Sequence, residues 1–310
     1  MCKLIGYYLN NVNSSLKSLA RNSDKLEKII PTGIAVKSDG SLIKSYTQND
    51  FSIINQYISR NNIFPLIQNY NLKSSVSNKF ISNPKQWQKT FKKLQKILGL
   101  QDYQGINVDL EGIKKENKLK FNNFIKKLSN YLYTNHFGLG LSIPAKTEPN
   151  SSSWGAAYDY YELGKLADEI IIMAYDYHWA GGSPGAIAPL NWVQDVLDYA
   201  IMKIPPQKIY LGIPCYGYDW VINHPQQPAE GLSYVQIKQI MNDLSVPMEW
   251  DQESKTPYLK YEDEQGQHEV WYENKDSICE KIDLVKKFEL AGAAFWRLGL
   301  EDPELWRQLY

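Results

Sequence analysis

The sequence predicts an α/β fold: a closed (β/α)8 TIM barrel over residues 1–310, with a small α+β insertion at 221–274 between the seventh strand and its helix. Three observations carry this. Eight short β-prone runs alternate with helical patterns, the order that gives a parallel sheet. Acidic and aromatic residues gather at the C-terminal ends of those runs, where such barrels carry their sites. The stretch from Val221 to Asn274 is too long for an ordinary connection and holds strand-like runs of its own.

In chain order, Lys3 to Leu9 reads as the first strand, followed by a polar Ser/Asn/Lys stretch. Ile29 to Val36 reads as the second, and Asp39-Gly40 turns it into a short hairpin through Leu42 to Tyr46. Asp50 caps a helix over Phe51, Ile54, Tyr57 and Ile58, and Ile63 to Gln68 is the third strand. Pro84 opens a helix with Trp87, Phe91, Leu94, Ile97 and Leu98 on one face, ended by Gly99. After the fourth strand, a helix places Leu119, Phe121, Phe124, Ile125, Leu128 and Leu132 opposite its lysines. Gly138 to Pro144 is the fifth strand, with a turn at Ser151 to Gly155 after it. Tyr160 to Leu166 is a short helix, and Glu169 to Tyr175 is a sixth strand buried on both faces. A helix from Trp192 to Met202 leads to the seventh strand, Lys208 to Tyr216. Ile278 to Phe288 is helical, and Gly292 to Leu298 is the eighth strand. Within the insertion, Pro257 to Tyr261 and His268 to Tyr272 form a hairpin around Glu264-Gln265-Gly266, one wall of a groove.

Composition narrows the function. With 43% hydrophobic and 22% charged residues, the chain is globular and can bury a large core. Lysine plus arginine and aspartate plus glutamate are each 34, so net charge favours neither nucleic acid nor an anionic membrane as partner. Cys2, Cys215 and Cys279 are odd in number and far apart, and the four histidines are likewise scattered, so no disulfide framework, metal site or other cofactor is expected. No apolar run spans a bilayer, and the opening residues lack the apolar core and cleavage site of a signal peptide. Twenty-two tyrosines and nine tryptophans suit flat ligands such as sugars, although packing accounts for most of them.

The fourth strand holds the candidate chemistry. In Gly105-Ile106-Asn107-Val108-Asp109-Leu110-Glu111 a period of two puts Asn107, Asp109 and Glu111 on one face and the aliphatic residues on the other. Two carboxylates in one row repel, which raises the pKa of at least one. The same alternation also fits an edge strand with a solvated polar face. Around the predicted mouth stand Tyr7 and Tyr8, Gln68 and Asn69, Pro144 and Lys146, Tyr175 to Trp179, Tyr216 and Tyr218-Asp219-Trp220, and Trp296-Arg297. His178 and Trp179 read equally as loop or substrate wall, and Arg297 beside Glu301 and Asp302 as a structural ion pair.

These motifs carry a resemblance. The run from Gly105 to Glu111 resembles the fourth-strand signature of glycoside hydrolase family 18, the chitinase-like barrels, and Met173-Ala174-Tyr175-Asp176 its sixth-strand signature. Met173 to Leu190, Tyr210 to Trp220, His268 to Tyr272 and Ala294 to Trp306 resemble the spore-germination branch, whose members trim cortex peptidoglycan as N-acetylglucosaminidases. The resemblance implies that Glu111 is the general acid and then the base for water, that Asp109 holds the acetamido nitrogen and stabilises the oxazolinium intermediate, and that Tyr175 binds the acetamido oxygen. It also implies Trp296 as the sugar floor, with Asp176, Tyr7, Asn107, Tyr216 and Met173 in the binding set. Asp176 has an alternative as a structural acceptor, and Trp296 as core packing.

Where many of these enzymes have aspartate, this chain has Gln104 and Asn107, which removes a carboxylate that could share the Asp109 proton. The LysM modules usual in the spore branch are not in this sequence. The partner expected is an N-acetylglucosamine-containing glycan, peptidoglycan or chitin oligosaccharide, taken by a monomer. Without a signal peptide, the place expected is the cytoplasm of the mother cell or the spore. The alternatives are a chitinase or endo-β-N-acetylglucosaminidase on chitin-type oligosaccharides, and a catalytically silent glycan-binding protein, against which intact Glu111 argues.

Overall fold

A computed structural model describes residues 2–46, 48–149, 154–224 and 226–309. Its strands are β1 (Lys3–Tyr8), β2 (Lys28–Pro31), β3 (Ile34–Val36), β4 (Leu42–Lys44), β5 (Leu66–Asn69), β6 (Gly105–Asp109), β7 (Gly138–Pro144), β8 (Glu169–Met173), β9 (Ile209–Pro214), β10 (Tyr216–Val221), β11 (Glu230–Ser233), β12 (Glu249–Asp251), β13 (Thr256–Asp263), β14 (Gly266–Tyr272) and β15 (Gly292–Trp296). Its helices are α1 (Asn13–Asn22), α2 (Gln48–Ile54), α3 (Ser74–Ile81), α4 (Pro84–Gln101), α5 (Lys118–Thr134), α6 (Tyr160–Leu166), α7 (Leu190–Ile201), α8 (Tyr234–Leu244), α9 (Lys275–Lys287) and α10 (Leu305–Gln308).

The main sheet runs β2-β1-β15-β9-β8-β7-β6-β5-β3, parallel throughout, with β4 antiparallel at its end. β2 and β3 are consecutive, so residues 28–36 join β1 on one side to β5 on the other, and a parallel bridge between Ile29 and Ile63 completes the ring. Eight staves therefore close the predicted (β/α)8 barrel. The second stave is broken because Gly33 takes a φ of +118°, a conformation open to glycine, between the two short strands.

Two cores follow from the period of two along each stave. Ile106 and Val108 of β6, Leu139 and Leu141 of β7, and Ile170 and Ile172 of β8 face outward and pack beneath the helices. Ile5, Tyr7, Ile30, Leu66, Ile171, Tyr210 and Ala294 fill the interior. At the lower end of the barrel the Lys28 ammonium pairs with the Glu169 carboxylate at 2.5 Å and lies 3.7 Å from the centre of the Phe64 ring.

The α+β insertion is a five-stranded antiparallel sheet in the order β11-β10-β14-β13-β12, with α8 against one face through Leu232, Ile237, Leu259, Val270 and Tyr272. It is tied to the barrel by a buried pair, Lys281 on α9 and Glu273, 2.8 Å apart.

Several local readings differ. The polar stretch after β1 is α1, and a further helix, α3, precedes α4. α2 begins at Gln48, so Asp50 lies in its first turn and Tyr57 and Ile58 lie beyond its end. α4 runs past Gly99 and stops at Asp102, which adopts a left-handed φ of 58°. Leu119 is 79% exposed instead of facing the core. The seventh stave ends at Pro214, and Tyr216 opens the second sheet. Of the turn at Ser151 to Gly155, the three serines lie outside the described residues. Among the described residues no helix is long and apolar enough to cross a membrane.

Candidate active site

β6 is paired on both sides, with β5 and with β7, and buried along its length, which removes the solvated-edge reading. Its inward residues Asn107 and Asp109 belong to the upper barrel. There the Tyr7 hydroxyl meets Ser142 Oγ at 2.6 Å, and Ser142 Oγ donates to Asn107 Oδ1 at 2.7 Å. The Tyr7 ring meets the Trp296 ring edge to face, 5.1 Å between centres. Tyr7 is 2% exposed with its hydroxyl committed to Ser142, so it braces Asn107 and Trp296 from below. Above this layer Asp109 is 6% exposed, and its Oδ1 is buried without a hydrogen-bond partner.

β6 stops at Asp109, so Leu110 and Glu111 stand on the following loop. Side chains from neighbouring elements fix that loop. The Glu111 N–H donates to Asn69 Oδ1 at 2.8 Å, and its carbonyl accepts from Ser77 Oγ at 2.6 Å. The Tyr158 hydroxyl donates to the Leu110 carbonyl, and Asn78 Nδ2 and Ser74 Oγ donate to that of Gly112. Gly112 sits at φ +67°, where a Cβ would come within 2.7 Å of Ser74, so this turn requires glycine. Among the described residues nothing bonds the Glu111 carboxylate itself, which is half-buried and open to a ligand.

Tyr175 and Asp176 follow β8, whose last residue is Met173. The Tyr175 ring lies over Gly212, where a Cβ would approach it to 3.2 Å. Asp176 holds a left-handed φ of 58°, and its Oδ1 accepts from the Tyr216 hydroxyl at 2.5 Å and the Tyr218 hydroxyl at 3.2 Å. Asp176 is exposed, although neighbouring protein atoms partly desolvate its carboxyl.

The electrostatics follow from burial. Desolvation, then the negative charge of Asp176, pushes the Glu111 carboxyl up to about 7. Burial raises Asp109 well above the usual carboxylate range, and the Glu111 charge raises it further. The Glu111 charge thus opposes ionisation of Asp109. Burial also raises Asp176, against the pull of its two tyrosine hydroxyls. Burial above all, with the neighbouring Tyr7, Asp109, Asp176 and Glu111, keeps Tyr175 protonated as a donor. Near neutrality the site offers a carboxyl that is half acid and half base, a second buried carboxyl whose ionisation is opposed, and a phenol.

Some residues expected at the mouth stand elsewhere. The Lys146 ammonium donates to the Tyr158 carbonyl and lies beside the Tyr160 ring, in the outer layer. Tyr8 packs in the outer core. Asp219 lies inside the second sheet, bonded to His268 Nδ1 at 2.8 Å and to the Tyr261 hydroxyl at 2.6 Å. Buried Trp220 donates to the Gly182 carbonyl and so anchors the loop after Asp176. In that loop His178 contacts the Ser183 carbonyl at 3.0 Å, and Trp179 is 58% exposed. The Arg297 guanidinium bonds the Ser15 hydroxyl and the Leu298 carbonyl, and among the described residues it feels the Glu301 charge without a direct ion pair. Sequence reasoning passed over Ser142, visible as a lone hydroxyl on the inner side of β7, and Ser77 and Asn78, which carried no signal.

Comparison with known proteins now bears on this site. The family model for glycosyl hydrolases family 18 matches residues 3–301. The chain belongs to glycosyl hydrolases family 18. It is 32% identical over 239 residues, 76% of the chain, to the cortical fragment-lytic enzyme of Bacillus anthracis, covering 53% of that protein. It is 27% identical over 311 residues to the glycosylase YvbX of Bacillus subtilis (strain 168), covering 97% of this chain and 89% of that one. The crystal structure of the Bacillus megaterium spore cortex-lytic enzyme SleL superposes with a TM-score of 0.90 at 27% identity, over 99% of this chain and 73% of that one. The chain thus spans about half the length of the cortical fragment-lytic relative. The family's barrel is the fold described above, insertion included.

Proposed function

We propose that this chain is a retaining glycoside hydrolase that cleaves β-1,4 bonds after N-acetylglucosamine in spore-cortex peptidoglycan, with the substrate's own acetamido oxygen as nucleophile. The cortex-lytic relatives support the substrate. The observation that carries the mechanism is the placement of the acids: Asp109 and Glu111 leave the barrel from one strand end, and Asp176 is engaged by two tyrosine hydroxyls. Among the described residues the acids acting on Glu111 are thus one from its own strand end and one held by tyrosines, unlike the facing pair of free carboxyls that paired-carboxylate glycosidases use.

In this reading Glu111, raised to about 7, gives its proton to the glycosidic oxygen as the bond breaks. The Tyr175 hydroxyl holds the acetamido oxygen toward the anomeric carbon, which it attacks to form an oxazolinium ring. The acetamido N–H donates to a carboxyl oxygen of Asp109. As positive charge grows on the ring, that Asp109 oxygen and the nearby Glu111 carboxylate offset it, and Glu111 stays unprotonated for the second step. Trp296 supports the distorted sugar, with Tyr7 fixing its angle. Water, deprotonated by Glu111, then opens the ring from the face the leaving group left, and the configuration is retained. The Tyr7–Ser142–Asn107 chain holds the uncharged Asn107 amide in place below Asp109.

The test is a series of aryl N-acetylglucosaminides whose acetamido group is progressively fluorinated. Fluorine weakens the carbonyl oxygen as a nucleophile, so kcat/KM falls with each addition, and the first-formed product by proton NMR is the β-anomer. A flat series, or an α-anomer, would remove the substrate-assisted mechanism.

A further inference from the structure

Net charge zero conceals a division. Residues 1–127 hold 21 of the 34 basic residues and 8 of the 34 acids, an excess of 13 positive charges, and residues 128–310 hold the equal negative excess. The positive half peaks between 73 and 127, with 13 lysines against 4 acids. Two of those acids, Asp109 and Glu111, lie in the cleft, which leaves Asp102 and Glu116 on the surface.

The fold gathers these lysines onto one face. α4 and α5 are neighbours on the outside of the barrel, locked by Trp87 and Phe91 against Phe124 and by Gln95 bonded to Asn135 and Tyr131. Their inner faces are apolar, and Lys89, Lys92, Lys93, Lys96, Lys126 and Lys127 are all exposed on their outer faces. None of the six forms an ion pair or side-chain hydrogen bond among the described residues. The face is continuous with the rim of the cleft. Lys114 and Lys115, also exposed, follow the Glu111 loop directly, and Lys120 bonds Ser82 beyond the end of α3, whose own Ser77 holds the Glu111 carbonyl. In the insertion, whose Tyr216 and Tyr218 reach Asp176 on the other side of the site, the charge reverses: residues 216–272 hold 10 acids against 3 lysines.

We propose that the α4–α5 face is a docking surface for a carboxylate-bearing glycan, extending the cleft of the hydrolase proposed above and resting on that reading. Uncompensated ammonium groups repel one another, a cost that an anionic polymer relieves. Attraction along one side of Glu111 and repulsion from the acidic wall on the other give such a polymer one direction of approach. The contacts are exposed point charges, so binding is screened by salt. A neutral glycan with the same sugar spacing gains nothing from this face.

The experiment sediments the full chain with insoluble peptidoglycan, with the same peptidoglycan after its carboxyls have been amidated, and with chitin. The quadruple variant Lys89→Gln, Lys93→Gln, Lys96→Gln, Lys127→Gln is compared with wild type and with a control carrying Lys203→Gln, Lys238→Gln, Lys255→Gln and Lys287→Gln. The expected result is that wild type and control bind native peptidoglycan and release it between roughly 0.02 M and roughly 0.5 M salt, while the α4–α5 variant binds about tenfold or more weakly. Amidation should weaken wild type as much as the variant is weakened, and binding to chitin should be the same for all three proteins. kcat/KM on a soluble neutral chitin oligosaccharide should not change, so loss of docking is distinguishable from loss of the catalytic reading. The proposal is overturned if the α4–α5 variant binds like the control or if amidation has no effect. It is also overturned if anionic phospholipid vesicles or duplex DNA are bound in a lysine-dependent way and peptidoglycan is not.

Discussion

Ionising Glu111 comes at a cost to the fold, and replacing the residue tests the size of that cost. Its carboxyl rises from an ordinary 4.5 to about 7 on folding, first through burial and then through the Asp176 charge. At about 1.4 kcal/mol per unit, ionising Glu111 in the folded protein costs on the order of 3 kcal/mol, an upper figure because water reaches part of the group. The native state binds the proton more tightly than the unfolded chain, so stability is undiminished below about pH 4.5, falls as pH rises toward about 7, and stays reduced above it. Glu111→Gln removes the charge without changing shape. Urea unfolding should therefore show the variant equal to wild type at pH 4 and more stable by about 2 to 3 kcal/mol at pH 8, although it is inactive. Relief of the Glu111 charge on Asp109 acts in the same direction. A wild type and variant with parallel stability curves from pH 4 to pH 8 would refute the strained, partly desolvated acid.

Three further outcomes follow. For an acid of pKa about 7 in the free enzyme, kcat/KM is full below neutrality and falls as pH rises through about 7; Asp176→Asn removes a negative neighbour, lowers that pKa and moves the falling limb to more acid pH. Tyr175→Phe deletes the hydroxyl assigned to the acetamido oxygen, and its kcat should fall by about 30- to 200-fold, as 2 to 3 kcal/mol of transition-state hydrogen bonding implies, with unchanged circular dichroism. Lys281→Met leaves the Glu273 carboxyl buried beneath the insertion without its partner, and should cost about 3 to 5 kcal/mol in urea unfolding, with much of it restored by adding Glu273→Gln.

The barrel was legible because each stave shows its two faces to different surroundings. Ile106 and Val108 against Asn107 and Asp109 is a period of two that survives in the sequence. The row of acids was legible for the same reason, although it leaves the strand at Asp109 and needs a glycine turn to aim Glu111. Other parts were hidden because buried polar residues mimic exposed ones. α1 buries Ser15, Ser18 and Asn22, and α3 buries Ser77 and Asn78, so neither shows an apolar stripe. These buried amides and hydroxyls are the ones that hold the Glu111 loop and the end of β15. Lys146 and Asp219 misled for the opposite reason: each sits at a strand end near the mouth in sequence, but backbone geometry turns Lys146 outward and carries Asp219 into the second sheet. Zero net charge likewise concealed a molecule with one basic and one acidic side.

Product release from purified cortex peptidoglycan and from chitin oligosaccharides, by wild type and Glu111→Gln side by side with mass spectrometry of the products, tests the central claim most directly. The account predicts cortex fragments ending in reducing N-acetylglucosamine from wild type and none from the variant. Cleavage of chitin alone would contradict the substrate, fragments released equally by Glu111→Gln would contradict the acid, and a wild type that binds either glycan without cutting it would contradict the enzyme.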